Sequence, residues 1–181
     1  MRPRSIAALL AVAAFVLLPG QALAVPNNES ASYEWHMDVP NVSEAPNGDT
    51  VAVTGTGEFG VHPKFATGGG EFTHEFADGG SISGTYEVTG LVSFQPYGCG
   101  IVPSLGAILP PDFCGGKLKM RVLLTAGGAT LPGTLTIFCI IGPNPPNSHD
   151  DPSGEGISLV VPGVANFNSI VSGMNVYILQ G

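Results

Sequence analysis

The chain has 181 residues and a formal net charge of −8, from 14 acidic against six basic side chains, so repulsion disfavours a nucleic-acid partner. Its 26 glycines are about twice the usual share of roughly 7%, which argues against long helices. With 44% hydrophobic and 11% charged residues, and no Gly-X-Y period, it is neither a disordered tail nor collagen-like, and its length suits one domain.

The amino terminus reads as an export signal. Arg2 and Arg4 precede an apolar run over residues 6–18, and Ala22-Leu23-Ala24 supplies the small-x-small cleavage pattern. Cleavage after Ala24 predicts a single domain over residues 25–181, periplasmic or extracellular. The apolar run falls short of the roughly 20 residues a bilayer span needs, and no later stretch is long and apolar enough to span as a helix. The protein is therefore expected not to be integral to a membrane. Asn28-Glu29-Ser30 and Asn41-Val42-Ser43 fit the glycosylation pattern.

From there the chain reads as period-two alternation, the mark of half-buried strands. Residues 32–39 set Tyr33, Trp35 and Met37 against Glu34, His36 and Asp38. A second strand is expected over 50–58, with Val51, Val53, Gly55 and Gly57 on one face. Residues 71–76 place Phe72, His74 and Phe76 together, and Asp78-Gly79-Gly80 marks a hairpin into a long strand over 81–94. On that strand Ile82, Gly84, Tyr86, Val88, Gly90, Val92 and Phe94 share a face. Residues 117–124 alternate Leu118, Met120, Val122 and Leu124 with Lys117, Lys119 and Arg121; Ala126-Gly127-Gly128 then turns into a strand over 134–141. Three more strands are expected at 157–161, 166–171 and 174–179. Residues 95–116 and 142–156 read as long loops.

Eight or nine short-linked strands, crossed by Gly55, Gly57, Gly84 and Gly90, predict an all-β, antiparallel barrel bent at its glycines. A two-sheet β-sandwich has the same local signature and stands as the alternative. A transmembrane barrel would present a continuous apolar outer band, whereas the rows beginning at Thr50 and Ser81 are polar. Of the three cysteines, Cys99 and Cys114 flank one proline-bearing loop and are expected to pair. Cys139, in an apolar run, is then a buried free thiol; a Cys114 to Cys139 bridge is the alternative.

The runs Gly68-Gly69-Gly70-Glu71-Phe72-Thr73-His74, Gly84-Thr85-Tyr86, Leu91-Val92-Ser93-Phe94 and Phe113-Cys114-Gly115-Gly116 form one set. With Asn166-Phe167-Asn168 and Val171-Ser172-Gly173, they resemble a group of uncharacterised secreted glycine-rich microbial β-proteins. The serial glycine-rich hairpins are also similar in style to dirigent and allene oxide cyclase barrels. That likeness implies an interior suited to small hydrophobic molecules, and no catalytic residue carries over with it.

Chemistry-bearing residues are sparse. His36, His62, His74 and His149 show no zinc-site spacing, and the chain has no P-loop, dinucleotide fingerprint or Gly-x-Ser-x-Gly elbow, so no cofactor is implied. His74 lies on an apolar face and is the candidate active histidine. Asp150, Asp151 and Glu155 could supply hard oxygen ligands for a metal, but without EF-hand spacing a solvated acidic turn is the expected reading. Glu58 and Glu71 are a possible cross-strand carboxylate pair. Lys117, Lys119 and Arg121 form a basic row, expected to face solvent and pair with acidic rows on neighbouring strands. The first functional expectation is a non-enzymatic binding or structural protein outside the cytoplasm, with a cell-surface component as a candidate partner. The alternative is an enzyme or carrier for a small apolar ligand, its interior lined by Phe59, Phe72, His74, Tyr86 and Phe94. A filled interior favours the first and a pocket the second.

Overall fold

The computed structural model describes residues 31–144 and 154–181. They form β1 (Ser32–Glu44), β2 (Thr50–Gly60), β3 (Phe65–Glu75), β4 (Ser81–Cys99), β5 (Ile101–Val102) and β6 (Ala107–Ile108). Then follow β7 (Phe113–Ala126), β8 (Ala129–Cys139), β9 (Gly156–Val161), β10 (Ala165–Phe167), β11 (Ser169–Ser172) and β12 (Val176–Gln180). The main sheet runs β10-β9-β8-β7-β12-β1-β2-β3-β4, with β11 added on β1, while β5 and β6 pair by themselves. Every pairing is antiparallel. Among the described residues no helix is long and apolar enough to cross a membrane.

The fold is all-β, but the expected barrel is wrong. β7 pairs along one edge with β4, and the path β7-β12-β1-β2-β3-β4 returns on itself. It does not close a barrel. β12 meets β7 at only two positions, Tyr177 to Cys114 and Ile178 to Phe113, while β8 takes the rest of that edge and leads away into β9 and β10. The arrangement is sandwich-like. One core cluster joins Trp35, Met37, Val51 and Val53 of β1 and β2 to Leu118, Met120, Ile137 and Leu159 of β7, β8 and β9.

The glycines taken as barrel corners serve close packing instead. A Cβ at Gly57 would lie 2.8 Å from the Trp35 indole nitrogen, and one at Gly84 would lie 3.0 Å from the Phe72 ring. Trp35 is fully buried over this glycine floor and donates its indole N–H to the Thr67 carbonyl at 3.2 Å. An alanine at Gly57 would overpack the site, which costs typically 1–3 kcal/mol.

Residues 95–116 are mostly strand, not loop. β4 continues to Cys99 by absorbing irregularities at Val88/Gly90, Leu91/Ser93 and Pro96/Gly98, so the ladder passes Pro96 without needing its missing N–H. The first irregularity also shifts the buried face from Val88 to Leu91, away from Val92. The strand expected at 166–171 is split: β10 pairs with β9, and β11 pairs with β1. Asn41, the second glycosylation candidate, is fully buried and donates its amide to the Val39 carbonyl, so the folded chain offers no room for a glycan there.

Cys99 and Cys114 are direct ladder partners and form the disulfide; Cys139 is a buried free thiol. The bridge closes a segment with a sequence separation of 15, for which the chain-entropy model gives about 3 kcal/mol. A Cys99→Ser, Cys114→Ser double variant is therefore expected to lose about 3 kcal/mol of unfolding free energy in urea titrations, with Cys139 still resistant to alkylation in the native state.

Candidate functional site

Four hairpins end at one pole of the molecule. The turn between β1 and β2 closes through Gly48 N–H to the Ala45 carbonyl (2.9 Å) and Ala45 N–H to the Asp49 carbonyl (2.8 Å), so Asp49 precedes β2. Val51 of β2 stands opposite His74 of β3 in the ladder, and Asp49, two residues earlier, lies on that same face. The β3–β4 turn closes through Phe76 N–H to the Gly80 carbonyl at 3.1 Å. Gly79 and Gly80 have φ of 101° and 88°, values that other residues rarely adopt. The turns β7–β8 and β9–β10 supply the remaining walls.

Between them is a pocket of about 250 Å³. Its inner wall is built from Val51, Phe72, Leu124, Leu159, Val161 and Phe167, all buried. Its mouth is set by Phe76, Ile82, Leu131 and Val164, which are exposed hydrophobics, Val164 at 54%. An exposed apolar rim around an apolar hollow is the surface feature that marks binding sites. Among the described residues His74 is the one polar side chain in the lining.

That imidazole is held on three sides. Its Nε2 is 2.9 Å from Asp49 Oδ2, its ring lies 4.4 Å from Phe76, and Phe167 meets it edge-on at 5.1 Å. Asp49 Oδ1 accepts the Ala77 N–H at 2.9 Å. The Ala77 N–H first, and then the bond to His74, hold the Asp49 carboxyl below the usual carboxylate range, against the opposing pull of burial. The carboxylate fixes which way the ring turns; the two aromatic rings fix its plane.

Of the five residues expected to line an interior, only Phe72 and His74 reach this pocket. Tyr86 lies deeper, against Phe72 and Leu124, and donates its hydroxyl to the Thr54 carbonyl at 3.1 Å. Phe59 and Phe94 belong to a packed aromatic group with Tyr33 and Tyr177, at centroid distances of 4.7 to 5.7 Å. Asp49 was the residue missed: its signal was the turn pattern Asn47-Gly48 just before a strand.

The other candidates that fall among the described residues are not brought together as sites. Asp150 and Asp151 lie outside the described residues, and Glu155 accepts the Asn175 N–H at 2.6 Å; among the described residues no group of three potential metal ligands occurs. Glu58 and Glu71 stand opposite Thr67 and Thr54, four positions apart along the ladder, or roughly 13 Å. The basic row alternates with buried Leu118, Met120 and Val122, yet its ladder neighbours on β4 are Gln95, Ser93 and Gly90, so the expected acidic partners are absent. Cys139 donates to the Asn175 carbonyl at 3.1 Å, and burial, then the charge of Glu155, push its thiol well up, which makes it inert. Burial likewise pushes the Tyr97 phenol up to about 12. A second apolar hollow of about 360 Å³ lies beside β5 and β6; of its polar residues, His36 and Asp38 face each other at 3.7 Å and Glu155 accepts the Asn175 N–H. Its wall reaches Glu155, next to the boundary of the described residues at Gly154.

No protein-family model matches this chain, and no significant similarity links it to a curated protein or a solved structure.

Because the folded state lowers the Asp49 carboxyl, its contribution to stability is present above the unfolded value of about 3.9 and is lost as pH falls through the lower folded one. Thermal unfolding of the wild type and of Asp49→Asn from pH 7 to pH 2 is expected to show the wild type ahead near neutrality, with the gap narrowing below about pH 4.

Proposed function

We propose that the protein binds a small apolar molecule in the pocket around His74 and acts outside the cytoplasm as a carrier or binding protein. The observation that carries this reading is the pairing of a hydrocarbon-lined hollow of about 250 Å³ with one oriented imidazole. Small-molecule sites have this make-up, a mostly apolar lining with a few placed polar groups. A cavity of roughly 150 Å³ already accommodates benzene, so this one has room for a larger body. A purely structural protein would gain packing contacts by filling such a space.

Among the described residues no serine, threonine or cysteine lines the pocket, which favours binding over nucleophilic catalysis. The disulfide and the leader-like residues 1–24 support an oxidising compartment outside the cytoplasm.

Calorimetric titration with 2-methylnaphthalene tests the reading. A dissociation constant on the order of 10–100 µM is expected for a ligand of that size. Replacing the exposed rim residues Ile82 and Val164 together by Glu is expected to weaken binding by about tenfold or more, by charging the mouth, while moving stability by no more than about 0.5 kcal/mol per site. Absence of binding by the wild type refutes the proposal.

A further inference from the structure

We propose that the ligand is an apolar alcohol or phenol whose hydroxyl donates a hydrogen bond to Nδ1 of His74; this rests on the pocket being a small-molecule site. Both Asp49 oxygens are committed, Oδ1 to the Ala77 N–H and Oδ2 to His74 Nε2. A carboxylate only accepts, so the proton between Asp49 and His74 belongs to Nε2. In the neutral ring, Nδ1 is then a lone-pair acceptor. Among the described residues it has no hydrogen-bond partner.

Among the described residues the other lining side chains are hydrocarbon and have no proton to offer. A ligand that fills the pocket displaces water from around the imidazole and must itself satisfy Nδ1 or leave it unpaired. A hydrocarbon leaves it unpaired. An ether or ketone sets lone pair against lone pair. An ionised carboxylic acid brings no proton and meets the charge of Asp49. A hydroxyl on an apolar body answers both the wall and the ring, and the Phe76 and Phe167 rings hold the imidazole plane for it. Asp49 acts as a positioning residue, through the tautomer it imposes.

The test compares three bicyclic probes of nearly equal shape by calorimetry at pH 8: 2-naphthol, which donates; 2-methoxynaphthalene, which only accepts; and 2-methylnaphthalene, which does neither. Wild-type protein is expected to prefer the naphthol by about tenfold over both others. His74→Phe is expected to keep the methylnaphthalene and erase the preference.

Asp49→Asn supplies the readout that a merely structural role would not move. Its amide oxygen takes over the Ala77 N–H, its NH₂ faces Nε2 and forces the proton onto Nδ1, and the order inverts in favour of the methoxy probe. Wild-type binding of all three probes within about twofold, or an unchanged order in Asp49→Asn, overturns this inference and leaves the binding site standing. Failure of all three to bind wild type removes both. Should His74→Phe not fold, the wild-type ranking and the Asp49→Asn inversion decide alone.

Discussion

β7 is the constraint on which the rest of the structure depends. It is hydrogen-bonded along both edges, to β4 on one side and to β8 and then β12 on the other. Leu118, Met120, Val122 and Leu124 alternate inward along it, and each is buried. A fully buried aliphatic side chain contributes about 1.5–3 kcal/mol, so four on one strand outweigh any single polar contact in the domain. Because one edge of β7 must serve two partners, β12 obtains only its first residues, and the returning sheet opens into a sandwich-like form.

The two ends of the molecule divide the aromatic residues between two tasks. Tyr33, Phe59, Phe94 and Tyr177 interlock at mixed stacked and edge-on angles and fill their space. At the opposite end the β3–β4, β7–β8 and β9–β10 hairpins carry small or aliphatic residues, Ala126, Ala129, Ile82 and Val164, which leave the hollow open. The difference is one of side-chain volume at strand ends, since the backbone pairing is equally regular in both places.

Beside that hollow, a partly buried charge is tolerated because its donors are fixed in place. Asp49 receives a backbone N–H from the next hairpin and a ring N–H from the adjoining strand, which offsets the cost of removing it from water. The imidazole is thereby oriented in an apolar setting, where a polar atom left unpaired costs most. The basic row on β7 has no comparable setting; its strand neighbours are neutral, and its side chains lie toward solvent.

Most strand positions, the hairpins at Asp78-Gly79-Gly80 and Ala126-Gly127-Gly128, the inward face of β7 and the Cys99–Cys114 bridge were legible in the sequence, because alternation, turn chemistry and cysteine spacing are local properties; the strands within 95–116 and the split at 166–171 were not. His74 was legible too, as a histidine on an apolar face. Asp49 was not, because what matters is its approach to His74, 25 residues away, and to the Ala77 N–H, and sequence spacing does not encode that. Nor was the failure to close: the glycines that suggest corners admit Trp35 and Phe72 only once the strands have been stacked. By itself the sequence determined an all-β chain with its strands, turns and disulfide, since each depends on residues near one another. Tertiary structure alone decided sandwich over barrel and placed Asp49 against His74, because both depend on how distant strands share the edges of β7 and bring their hairpin ends together.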